Sequence, residues 1–203
     1  MTNETKIKHL RRTGISYMAA GVCVLAMGIP YWFFGKSIYE ERAMHKVFGL
    51  PFLQQVNNLP DALLQAWGYN LGGFLMFAAA YSLWKIGEPT GWKKRNVLLI
   101  PLLGTVCHFF SIMFPLPFAP LGTFLNALGM VVVGIVSVKA NIWTGWQRFT
   151  PLLMGLFPFT IQFPLLFILG TPPTHIMPLW GIAFFLLGVA AWQRTMELKL
   201  CLD

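Results

Sequence analysis

The chain has 203 residues, of which 56% are hydrophobic and only 11% charged, with a formal net charge of +8. Soluble domains run nearer roughly 45–50% apolar and a quarter charged, so the shortage of charge argues against an ordinary soluble domain. Disorder is excluded, since it needs low hydrophobicity and high charge, and three cysteines are too few for a disulfide scaffold.

A helix needs about 20 apolar residues to cross the roughly 30 Å hydrocarbon core at about 1.5 Å per residue. Six runs approach or exceed that length with no Asp, Glu, Lys or Arg: 14–34, 63–84, 97–117, 119–138, 149–170 and 176–193. They predict an all-α integral membrane protein, a single domain built as a bundle of six transmembrane helices. A membrane β-barrel is excluded, because the runs lack its alternation.

The first run follows Lys6, Lys8, Arg11 and Arg12 and ends in the aromatic belt Tyr31-Trp32-Phe33-Phe34. It is long for a cleavable signal and reads as a retained span. Lysines and arginines gather on the cytoplasmic side of membrane proteins. With the N-terminus inside, only Lys36, Arg42 and Lys46 of the fifteen basic residues fall outside. The expected location is therefore the inner or plasma membrane, with both termini cytoplasmic. This topology and anionic lipid account for the net charge, and no nucleic-acid partner is expected.

The connection 35–62 is the longest. In it Tyr39, Ala43, Met44, Val47 and Phe48 recur at helical spacing, with Glu40, Glu41, Arg42, His45 and Lys46 between them. That pattern predicts a short helix in the outer interface, stopping near Pro51. The later connections are short. Thr90-Gly91-Trp92 and Thr144-Gly145-Trp146 precede the third and fifth runs and suggest a faint internal repeat. Glycines recur every seven residues at Gly14, Gly21 and Gly28, at Gly122 and Gly129, and at Gly181 and Gly188. Such faces let helix backbones approach closely, within a chain or between copies in an oligomer. Pro158 and Pro164 predict a kinked fifth helix.

Four uncharged polar residues fall at similar depth in adjacent runs. Asn70 and Asn126 lie about 10 Å below the outer ends of their runs, and His108 and Gln162 about 13 Å. One reading is interhelical glue, another is a polar lining for a ligand. No carboxylate or lysine lies in any run, which argues against ion-driven pumping and excludes a retinal Schiff base. No cofactor is called for, since His108 is the one histidine well inside a run and bis-histidine haem needs two. Glu41 and His45, with His175, form a weak candidate set for an outer-face metal, and Glu-x-x-x-His spacing by itself is common.

The leading functional expectation is non-enzymatic: binding or passage of a small apolar or amphipathic molecule in an outer-half pocket at Asn70, His108, Asn126 and Gln162. Its rival is a structural or accessory subunit. A third reading is an intramembrane enzyme using Glu41, His45, His108 or His175. The topology is directly testable. A cysteine at Gln55 should label from outside, and tags at both termini should be reachable only from the cytoplasm; labelling of Gln55 only after permeabilisation would overturn the orientation.

Overall fold

A computed structural model describes residues 2–34, 60–111, 114–170 and 175–200. The expected interfacial helix, with Glu41 and His45, lies outside these residues. The described elements are helical throughout. They are α1 (Asn3–Ala26), α2 (Ile29–Phe34), α3 (Pro60–Ile86), α4 (Leu99–Phe110), α5 (Pro115–Ala140), α6 (Thr150–Phe157), α7 (Phe163–Leu169) and α8 (Trp180–Leu200). Short 3₁₀ segments at Trp92–Leu98, Gln147–Phe149 and Met177–Leu179 lead into α4, α6 and α8. Among the described residues, three helical stretches are long and apolar enough to cross a membrane: Pro117–Ala140, Gln147–Leu169 and Met177–Leu200.

The apolar run 97–117 is divided between elements. Its α-helix ends at Phe110, and α5 begins at Pro115. Proline is well suited to the first turn of a helix, where its missing N–H costs nothing. Pro115 and Pro117 therefore open α5 rather than close the helix before it.

Small residues set the helix contacts. α1 packs chiefly on α8 and α3, α4 on α5, and α5 on α6. At the α1–α8 crossing the glycine stripes meet each other, and a Cβ at Gly21 would lie 2.6 Å from the Gly181 carbonyl oxygen. A Cβ at Gly188 would lie 2.5 Å from the Met18 nitrogen and 2.7 Å from the Gly14 oxygen. The backbones thus touch where a side chain would hold them apart. Beside this crossing sits an aromatic core in which Phe184 lies 6.2 Å from Tyr17 and 4.8 Å from Trp180, centroid to centroid.

The fifth apolar run is interrupted by a π-helical turn at Pro158–Gln162. Pro158 has no N–H to give the Met154 carbonyl, four residues earlier. Trp180 supplies the missing donor, its Nε1 reaching Met154 O at 2.8 Å. The wide turn closes when the Phe163 N–H bonds to Pro158 O. The proline thus converts a backbone bond within one helix into a side-chain bond between two. The two Thr-Gly-Trp turns also share a local form. Gly91 (φ +83°) and Gly145 (φ +55°) are left-handed, Trp92 and Trp146 are exposed, and a 3₁₀ segment follows each.

Gly21→Leu or Gly188→Leu should lower the melting temperature in detergent, because overpacking a closed contact costs about 1–3 kcal/mol or more. Gly73 has open space where its Cβ would stand. Gly73→Ala should be neutral or gain up to about 1 kcal/mol of helix propensity. Similar melts for all three variants would remove backbone contact as the determinant of stability.

Candidate functional site

All four residues of the expected polar layer are buried. Three of them belong to neighbouring contacts along α3, α4 and α5. α4 and α5 cross at Gly104 and Gly122, where a Cβ on Gly104 would lie 2.5 Å from the Asn126 nitrogen. One on Gly122 would lie 3.0 Å from the His108 nitrogen. His108 and Asn126 are each four residues beyond one of these glycines and so share its helix face. Asn70 is one turn from Phe74, whose ring meets that of Phe109 edge-on at 5.0 Å. It therefore lies on the α3 face that meets α4.

Gln162 stands apart. It closes the π turn, and its Nε2 donates to Met177 O at 3.4 Å, toward the start of α8. The intervening contact is aromatic, with Phe124 of α5 5.8 Å from Phe159 and 6.4 Å from Phe163.

Hydrogen bonding divides the layer in the same way. Asn70 Nδ2, both ring nitrogens of His108 and both amide atoms of Asn126 are buried without a hydrogen-bond partner among the described residues. An unsatisfied buried polar group costs about 1–3 kcal/mol, so this is an expensive arrangement for glue alone. The Ser111 hydroxyl is directed at the His108 carbonyl, to which it donates at 2.6 Å. That geometry does not prepare serine for attack through the imidazole, which requires the hydroxyl to donate to a ring nitrogen. His175 is exposed, and its carbonyl accepts from Trp32 Nε1 at 2.7 Å. Among the described residues no group of three His, Cys, Asp or Glu could hold a metal ion.

A second polar centre lies at the other end of the bundle, and the sequence alone does not disclose it. Glu88, in the turn after α3, is 2% exposed. Lys6 Nζ of α1 stands 2.5 Å from Glu88 Oε1. Trp143 Nε1 donates to Oε2 at 2.8 Å, and Arg194 Nε of α8 is 3.9 Å from the same oxygen. Arg194 Nη1 also donates to Glu197 at 2.9 Å, and Gln147 Nε2 donates to the other Glu197 oxygen at 2.9 Å. Two carboxylates and two cations thus balance, and they tie four separate parts of the chain together. Bringing opposite charges together offsets part of the cost of taking them out of water. The available signal was faint: Glu88 is a lone acid in a connection that also holds Lys85, Lys93, Lys94 and Arg95. The burial of Trp143 has no sequence signal.

Compared with models of known protein families, with curated proteins and with solved structures, the chain matches none.

Removing one member of a buried ion pair typically costs about 3–5 kcal/mol. Lys6 and Arg194 keep 28% and 19% of their side chains exposed, so Glu88→Ala should cost about 3 kcal/mol, the low end of that range. Trp143→Phe removes the donor to a charged group and leaves part of the buried indole's space empty, so it should cost at least about 1.5–3 kcal/mol. Detergent melts give both values, and a wild-type melt for Glu88→Ala would show the cluster to be dispensable.

Proposed function

We infer that the chain is a six-span membrane protein, with both termini cytoplasmic, that binds a small amphipathic molecule in the outer half of the membrane. The observation that carries this reading is the set of five partnerless buried atoms on Asn70, His108 and Asn126. A neutral imidazole offers one donor and one acceptor, and a primary amide offers both. The matching ligand carries a hydroxyl or carbonyl group on an apolar body, the body lying against surfaces such as Phe74 and Phe109. Gln162, engaged with Met177 and set apart by the Phe124, Phe159 and Phe163 contact, is left out of this site. Binding sites of this kind are mostly apolar with a few convergent polar groups. The accessory-subunit reading needs the polar layer to be glue, and these three side chains make no hydrogen bond to one another.

Native mass spectrometry of gently extracted protein tests the reading. Wild-type protein should retain a small-molecule adduct, and His108→Leu and Asn126→Leu should each lose it. The adduct-free leucine variants should melt no lower than adduct-free wild type, since each substitution removes an unsatisfied buried group. An adduct kept unchanged by both variants, or no adduct in any extract, would remove the ligand from the account.

A further inference from the structure

α1 carries a second kind of surface, at the level where its charged turns give way to its apolar ones. Lys8, Arg11, Arg12, Ile15 and Ser16 line an open recess of about 320 Å³. These positions are three or four residues apart and so form one helix face. The recess is more ordered than a fringe of free cations. The Arg11 guanidinium is held 5.8 Å over the Trp192 ring of α8, and the buried Ser16 lies at its edge. A guanidinium already in place loses little freedom on meeting a phosphate, which it can bind with two parallel bonds.

The local field is positive. His9, next to Lys8 in the chain, has its imidazole held below the ordinary range first by burial and then by the charges of Arg12, Lys8 and Lys85. Moving from the recess along the same face, Ile15 is 47% exposed and Val22, seven residues on, is 55% exposed. Among the described residues, cations thus stand at the head of an exposed apolar stripe that runs along the helix axis. A free inorganic anion uses only the first feature, whereas a phospholipid uses both.

We propose that this face of α1 is a binding site for an anionic phospholipid, with the headgroup phosphate at Lys8, Arg11 and Arg12 and an acyl chain along Ile15 and Val22. The proposal is independent of the polar layer, since α1 contributes none of its residues. It also goes beyond the general attraction of basic residues to anionic leaflets, because it assigns one set of cations and not the others.

The test is lipid retention and thermal stabilisation of the full chain in neutral detergent, with dioleoylphosphatidylglycerol, dioleoylphosphatidylcholine or inorganic phosphate added at matched concentration. Phosphatidylglycerol should bind and raise the melting temperature, and the other two should not. The double variant Arg11→Gln, Arg12→Gln should weaken phosphatidylglycerol binding by roughly tenfold or more. Lys93→Gln with Lys94→Gln, at two exposed positions in another turn, should leave it unchanged. If the arginine variant is not recovered folded, Lys8→Gln at its exposed site gives the same comparison. Equal losses from both pairs would mean diffuse charge, equal stabilisation by phosphate alone would mean a free-anion site, and retained binding in the Arg11 and Arg12 variant would mean no site here. Each of these overturns the proposal.

Discussion

The contact of one helix backbone with another, without side chains between them, is what the rest of this structure depends on. Where apolar helices meet through small residues, their association rests on close backbone packing and hydrogen bonds. Gly21 against Gly181, Gly14 against Gly188, and Gly104 against Asn126 supply that closeness. The α4–α5 crossing does more than hold the bundle. By bringing the two backbones into contact at Gly104 and Gly122 it fixes how His108 and Asn126 stand toward their neighbours. The candidate site follows from a packing rule, and the polar side chains are carried into it.

The two polar centres are built on opposite principles. Around Glu88 two carboxylates meet two cations, and Trp143 and Gln147 provide further donors. Around His108, among the described residues, the imidazole nitrogens and the Asn126 amide have no hydrogen-bond partner. An ionic cluster tied to several helices rigidifies, whereas unsatisfied neutral groups are the kind of feature that binding sites retain at a cost in stability. The π turn stands apart from both centres. Pro158 gives up a backbone bond, Trp180 restores it from another helix, and Gln162 is presented at the end of the wider turn.

Composition and periodicity made the helical class and the apolar runs legible, because both depend on local content alone. The seven-residue glycine spacing was legible as packing for the same reason, and Gly14, Gly21, Gly181 and Gly188 are found against one another. Depth along each run placed Asn70, His108, Asn126 and Gln162 in one layer, and all four are buried. Depth does not give rotation about the helix axis, so it did not separate Gln162, turned toward Met177, from the other three. Interfacial preference treats all eight tryptophans alike, whereas Trp143 and Trp180 are buried with their indole N–H groups bonded to Glu88 and Met154. Glu88 was hidden for the converse reason. A charged residue between apolar runs is assigned to solvent by every local rule, and its partners Lys6, Trp143 and Arg194 are distant in sequence.

Lys6 and Arg194 lie near opposite ends of the chain, and both approach the carboxylate of Glu88. A ribosome makes them far apart in time. When Glu88 emerges only one of its cations exists, and the glycine groove of α1 has no α8 to fill it. Until α8 is made, Glu88 has Lys6 beside it but not Arg194. Both features are completed by one helix, since α8 carries Arg194 as well as Gly181 and Gly188.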